Sequence, residues 1–244
     1  MKNNTIHVGC SSFSVGFWKG VFYPPDLPSK EYLSFYSQKM RAVEINTTFY
    51  GRPTVKTLER WHYSTPDDFL FFIKMPKAIT HEKRLKETRA DAEDFCGHIA
   101  GSLDKKLAGF LYQLPPSFHY SEENLQRVLD TADPTFRNVV EFRHASWWTA
   151  EVQNVLRENN IIFCGVSYPG AISDEIIVNN DKLGYYRLHG VPELFKSSYS
   201  DDKLAELSQK INSRERDFFV FFNNTFGTAG ILNALTFRKL LGQI

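Results

Sequence analysis

Apolar runs of strand length alternate along this chain with stretches whose apolar residues recur at helical spacing. Ile6-His7-Val8-Gly9-Cys10 opens the series and ends in the small residues Ser11 and Ser12. Tyr32, Leu33, Tyr36 and Met40 then fall on one face of a helix that Ser29 is placed to cap. Further strand-like runs stand at 42–50, 69–74, 108–114, 139–144, 161–167, 183–189 and 218–223. Helices are expected between them. One follows Thr54 and buries Leu58 and Trp61, and one over about 88–103 buries Ala92, Phe95, Cys96, Ile99 and Leu103. Another follows Ser121, where Glu122 and Glu123 suit the positive end of the helix dipole and Leu125, Val128 and Leu129 would face inward. Three more are expected: after Ser146 with Val152 and Leu156 inward, around Leu204, Leu207 and Ile211, and over about 227–241. Residues 169–182 break the rhythm: they carry Pro169, Gly170 and a short Ile176-Ile177-Val178 run but no helical pattern.

Strands apolar on both faces, alternating with amphipathic helices, imply an α/β fold with a parallel sheet. About eight such units in 244 residues is the size of a (β/α)8 TIM-type barrel, here with one irregular unit between strands six and seven. A doubly wound open sheet is the rival, but Gly9-Cys10-Ser11-Ser12 is not the glycine-rich phosphate turn that such a fold carries after its first strand. No Pro/Gly/Ser-rich linker divides the sequence, so residues 1–244 read as a single domain.

The strands turn polar at their C-terminal ends, the face on which such barrels carry their sites. Glu44 and Asn46 lie two residues apart on the second strand and so share a face, and Glu141 with Arg143 and Arg187 with His189 repeat that spacing. Lys74, Gln113 and Asn223 end three more strands. Glu44 and Glu141 are candidate proton-transfer groups, with the structural ion pair as the alternative for each. Lys74 ends an apolar run, where burial would lower its pKa toward Schiff-base chemistry; pairing with Glu44 or binding an anion is the plainer role. Arg143 and Arg187 suit carboxylate or phosphate, and with Lys74 and His189 they favour an anionic ligand. Asn46, Gln113 and Asn223 add amides to this rim; His81, in the loop after the third strand, is placed to overhang it, with an ordinary loop role as the alternative; Tyr50 and Trp147 are candidate stacking walls, with core packing as the equal alternative.

Composition narrows the classes. The formal net charge of +1 argues against a generally basic nucleic-acid binder. The seven histidines show neither H-x-H nor H-E-x-x-H spacing, so neither a metal nor any other cofactor is expected. Cys10, Cys96 and Cys164 form no paired framework, which fits a reducing cytoplasm, and Cys10 reads as a packing residue. The start MKNNTIHVG lacks an apolar core for a secretory signal, and no apolar run approaches the length of a membrane span. Three readings follow. The chain is an enzyme using metal-independent acid/base chemistry on a small anion such as a sugar phosphate or sugar acid, or a nucleic-acid-binding or processing barrel, or a non-catalytic ligand-binding protein.

The motifs also carry a resemblance. FWKGVFYP at Phe17–Pro24, VEINTTFYGRP at Val43–Pro53, PDDFLFFIKMPKAITHEKRL at Pro66–Leu85, FLYQLPPSF at Phe110–Phe118, VEFRHASWW at Val140–Trp148, YRLHG at Tyr186–Gly190 and FFNNTFGTAGILNA at Phe221–Ala234 together resemble the DUF72, or YecE-like, family. The resemblance runs almost end to end. It implies a TIM-barrel fold and marks the rim residues, but the family brings no established activity. Where that family typically shows Gly-Thr-Ser-Gly and an aromatic after the first strand, this chain has Gly9-Cys10-Ser11-Ser12-Phe13.

Overall fold

The computed structural model describes residues 5–170 and 172–244. Residues 1–4 of the polar start and residue 171 of the irregular stretch lie outside the described residues. In chain order the elements are β1 (Ile6–Cys10), α1 (Tyr32–Lys39), β2 (Ala42–Ile45), α2 (Val55–Tyr63), β3 (Leu70–Lys74), α3 (Arg89–Leu103), β4 (Leu107–Gln113) and α4 (Glu122–Thr131). They continue with β5 (Asn138–Glu141), α5 (Ala150–Glu158), β6 (Ile161–Phe163), β7 (Gly165–Ser167), β8 (Leu183–Leu188), α6 (Asp201–Asn212), β9 (Asp217–Phe222) and α7 (Ala229–Leu240). Every ladder between these strands is parallel, as the alternation of strand and helix requires.

The strands form two sheets, ordered β2-β3-β4-β5-β6 and β1-β9-β8-β7. The single sixth strand expected over 161–167 is two strands that meet at Cys164: β6 pairs with β5, and β7 pairs with β8. Gly165 is needed at this change of partner. A Cβ there would stand 2.6 Å from the carbonyl oxygen of Glu175, in the irregular segment that crosses it. As expected, that segment holds no helix among the described residues. Its Asn179 side chain serves as a substitute neighbour for β6, accepting from the Phe163 N–H at 3.0 Å and donating to the Ile161 carbonyl at 3.0 Å.

At their other edges the two sheets meet at β1 and β2. A Cβ on Gly9 would stand 2.1 Å from the Ala42 carbonyl oxygen, so only glycine lets β1 come this close. Beside it the Tyr36 hydroxyl from α1 accepts from the Cys10 N–H at 2.7 Å and donates to the Ala42 carbonyl at 3.1 Å. One phenol thus satisfies two buried backbone groups that a regular ladder would have paired.

Two apolar clusters result. One lies between strands and helices and takes the inward faces of α1 to α7. The other gathers Ala42, Phe72, Leu111, Val139, Ile162, Val166, Tyr185, Phe219 and Phe221 from β2 to β9, so both sheets share it. The helix faces follow the predicted spacing, with Ala92, Phe95, Cys96, Ile99 and Leu103 buried on α3. Thr54 and Ser121 cap α2 and α4 as expected. Two caps differ. Ser29 opens a short 3-10 turn, so Glu31 precedes α1. Thr149 caps α5, because Ser146 is taken up in a turn at 145–147, where its N–H donates to His144 Nδ1. No helix among the described residues is long and apolar enough to cross a membrane.

Candidate functional site

Because the strands are parallel, their polar C-terminal residues arrive at one end of the sheets. The period of two on β8 puts Tyr185 and Arg187 on one face, and His189 follows one residue past the strand. On β5 the same period places Arg143 beyond Glu141. Register then sets neighbours: Gln113 pairs with Glu141 across β4 and β5, and Lys74 with Leu111 across β3 and β4.

Arg187 is the centre of a buried ionic lattice. Its Nη2 lies 2.6 Å from Glu44 Oε1, and its Nη1 donates to Glu141 Oε2. Tyr185 Oη donates to the second oxygen of Glu44 at 2.6 Å, and Arg143 Nε donates to Glu141 Oε1. Every carboxylate oxygen of both glutamates is therefore engaged, and both side chains are wholly buried. Burial acts to raise the Glu141 carboxyl, but Arg143 and Arg187 outweigh it and hold the group well below the usual carboxylate range. Burial and the Arg143 guanidinium push His189 down to about 3, so its ring is neutral. Asn223 Nδ2 meets His189 Nδ1 at 2.8 Å, and His189 Nε2 lies 3.4 Å from Glu141 Oε1 and 3.3 Å from Arg143 Nη2. The Arg143 guanidinium lies 4.2 Å from the centre of the Tyr168 ring.

Lys74 is handled differently. Its Nζ donates to Gln113 Oε1 at 2.8 Å and sits 4.2 Å from the centre of the Phe49 ring. Gln113 is itself fixed by donating to the Leu114 carbonyl at 2.8 Å. Phe49 is set over the lysine by Thr48, whose hydroxyl lies within hydrogen-bond reach of the carbonyls of Ile45 at 3.0 Å and Lys74 at 2.7 Å. Among the described residues no carboxylate comes within ion-pair distance of Lys74, so the expected Lys74–Glu44 pair is not formed and Arg187 takes that place. Burial and the Arg187 charge push the lysine down to about 7, against the opposing pull of Glu141 and Glu44.

A cleft of about 280 Å³ opens over this corner, lined by Lys74, Gln113, Arg143, Asn46, Asn223, Phe49, Tyr50, Phe195, Thr225 and Phe226. Asn46 and Asn223 approach each other at 3.4 Å on its wall. A larger cleft of about 670 Å³ adjoins it across Phe49 and Tyr50 and is lined by charged residues of the 77–95 region, with Arg52.

The structure thus brings together most of the residues marked in the sequence, in two layers. Glu44, Glu141, Arg187 and His189 form the floor, while Lys74, Gln113, Asn46, Asn223, Arg143 and Tyr50 reach the opening. His81 lies at the edge, against the Phe49 ring, and is lowered to about 4 by burial and by Lys74. Trp147 is a correction: it is completely buried, stacked on Phe118 and Phe142, with its indole N–H donating to the Phe118 carbonyl at 2.7 Å. It has no face to offer a ligand. The sequence reading passed over Tyr185, Tyr168, Phe195, Thr225 and Phe226. Tyr185 carried a signal, since it shares the period-two face of Arg187. The others lie on loops, where no periodicity marks direction. No group of three or more His, Cys, Asp or Glu among the described residues is placed to hold a metal ion.

Comparison with known proteins agrees with this arrangement of the whole chain. A UPF0759 protein, YunF of Bacillus subtilis, is 24% identical over 254 residues, covering 90% of this chain and 89% of YunF. The UPF0759 protein YecE of Escherichia coli K12 is 31% identical over a shorter stretch of 117 residues, 48% of this chain and 43% of YecE. The crystal structure of a DUF72 family protein from Thermotoga maritima superposes with a TM-score of 0.89 at 31% identity, covering 98% of this chain and 100% of that one. A DUF72 family protein from Enterococcus faecalis shares the fold, with a TM-score of 0.81 at 23% identity over 98% of this chain and 96% of its own. The pattern described as "Protein of unknown function DUF72" matches residues 7–244, and the chain belongs to the DUF72 family.

Proposed function

We propose that this chain is a metal-independent enzyme acting on a small anionic molecule, of the sugar-phosphate or sugar-acid class, at the C-terminal ends of its strands. In this reading the two parallel sheets are one (β/α)8-type barrel, continuous through 161–167 and drawn together by Gly9 and Tyr36 at the β1/β2 edge. The ligand enters the cleft over Lys74. Glu44 and Glu141 are not the proton-transfer pair, because their oxygens are all taken and neither lines the cleft. They hold Arg187 and Arg143 in place instead, and Lys74 is the group that exchanges a proton with the ligand. Three buried, unpaired cysteines fit a protein of the cytoplasm.

The observation that carries the reading is Lys74 itself: a strand-end lysine with no carboxylate partner among the described residues, open to a cleft that also presents Arg143. Two carboxylates face two arginines in the floor, so a protonated Lys74 is the excess positive charge, and an anion completes the balance. A panel of sugar phosphates and sugar acids, tested by calorimetry for binding and by NMR for turnover, checks it. Lys74→Ala and Arg143→Ala should each weaken binding by about tenfold or more, and Lys74→Ala should abolish turnover. Full binding and turnover in both folded variants would remove the assignment. Binding by the wild type without any turnover would leave a ligand-binding protein.

A further inference from the structure

We propose that Lys74 is a nucleophile, forming a Schiff base with a small anionic aldehyde or ketone whose anionic group is held by Arg143. This rests on the small-anion reading above and names the chemical class of its ligand.

A lysine buried only to bind an anion needs no particular partner besides the anion. A lysine buried to attack a carbonyl needs three things: a free approach path, a lone pair, and surroundings that tolerate the cation formed afterwards. Lys74 has the approach path, since its side chain is among those lining the cleft and its Nζ donates to Gln113 at 2.8 Å, a single side-chain partner among the described residues. The lone pair follows from the depressed basicity of the amine near neutral pH, which burial and Arg187 impose while Glu141 and Glu44 oppose. The Arg143 charge adds to the lowering, and His81 nearby is held neutral by burial and in part by Lys74. The surroundings include the Phe49 ring face, 4.2 Å from Nζ, which tolerates a cation at this point. The volume of about 280 Å³ admits a molecule of a few heavy atoms, so amine and anion holder would act on the same ligand.

The step balances without any further reactant. The neutral amine adds its electron pair to the carbonyl carbon, and the carbonyl π electrons move to oxygen. A proton passes from nitrogen to that oxygen to give the neutral carbinolamine. Its hydroxyl takes up one further proton and leaves as water while the nitrogen lone pair forms the C=N bond, giving the iminium ion, which draws electrons from the neighbouring carbon and makes its C–H acidic. The net change is amine plus carbonyl plus one proton to iminium plus water, and no oxidant or reductant is consumed.

The test uses the full chain at pH 7.5 with pyruvate and with glyceraldehyde 3-phosphate, reduced by cyanoborohydride and mapped by peptide mass spectrometry. Lactate and glycerol 3-phosphate serve as carbonyl-free controls, and their binding is measured by calorimetry. At least one carbonyl probe should label Lys74 tenfold or more above any surface lysine, and excess of the matching control should suppress the label. Lys74→Arg, checked by circular dichroism, should lose it. The wild-type selectivity stands by itself if that variant does not fold. Labelling of Lys74 at the level of surface lysines, with the controls still binding in the cleft, overturns the nucleophile and leaves the anion site standing. No labelling and no binding of any probe overturns both.

Discussion

The floor of the site and its lysine corner stand on neighbouring strand ends. In the floor, every carboxylate oxygen of Glu44 and Glu141 is engaged by Arg187, Tyr185 or Arg143, while Arg187 Nε is buried without a hydrogen-bond partner among the described residues and Arg143 also reaches the cleft. At the corner, Lys74 has one amide oxygen and one ring face. Lys106 shows what a purely structural buried lysine looks like in the same molecule. Its three N–H donors reach the His62 carbonyl, the Thr65 carbonyl and the Thr65 hydroxyl, tying the end of α2 to the start of β4. A lysine placed for stability fills its donors. Lys74 leaves donor capacity pointing into a cleft, and in that respect it differs from both the floor and Lys106.

The largest way to break this comparison is at Glu141. Glu141→Ala leaves Arg143 and part of Arg187 buried without a counter-charge and should cost about 3–5 kcal/mol, read by urea denaturation. A loss below about 1 kcal/mol would mean that the floor is not a mutually dependent lattice. The same lattice predicts acid sensitivity. A carboxyl held below its unfolded value of 4.5 contributes stability that is present above that value and lost as pH falls through the folded one. His189, about 3 in the fold against 6.5 unfolded, adds to this, because the unfolded chain takes up a proton that the buried ring refuses. Stability should therefore decline from about pH 6.5 downward and steepen below 4.5, and Glu141→Ala should flatten the lower limb.

Tyr185→Phe tests the floor more finely. It removes the 2.6 Å hydrogen bond to Glu44 and leaves Arg187 as that carboxylate's partner among the described residues. A loss of about 1.5–3 kcal/mol is expected, as for a bond to a charged group, with no change in binding at the cleft because Tyr185 does not line it. A variant that keeps its stability but loses ligand affinity would join the two regions that the comparison separates.

Most of the fold was legible because the signals behind it are periodic. The period of two on β8 and the helical spacing of Ala92, Phe95 and Ile99 report burial directly. The polar strand ends were legible for the same reason, since a charge that interrupts an apolar strand needs a partner. Which partner it finds was not legible. Nothing local to Glu44 says that Arg187, 143 residues away, takes it in place of Lys74. That choice depends on how the inner faces of both sheets meet. Trp147 was misplaced because an aromatic beside a strand end has two directions to point, and stacking on Phe118 and Phe142 decided between them. The bridge made by Tyr36 has no sequence signal either: the residue reads as one more apolar position on α1, and its hydroxyl acquires a role only when β1 and β2 are side by side.

The smallest predicted effect has the opposite sign to the others. Lys74 costs the fold stability, because burial and the Arg187 charge disfavour its charged form by more than Glu141 and Glu44 favour it. Lys74→Met, similar in length and apolar, should stabilise the protein at pH 7 by roughly 1–2 kcal/mol, as removal of a strained functional group commonly does. The pH dependence carries a sharper signature. With the lysine at about 7 in the fold and 10.5 when unfolded, the unfolded chain holds the extra proton between those values, so wild-type stability rises as pH rises from 7 toward 10.5. Lys74→Met should lack that rise while keeping the acid limb set by Glu141 and His189. Denaturation midpoints across pH 6 to 10 decide the matter. If the variant is less stable than the wild type and its alkaline slope is unchanged, Lys74 is a structural lysine like Lys106, and the corner is only an extension of the floor.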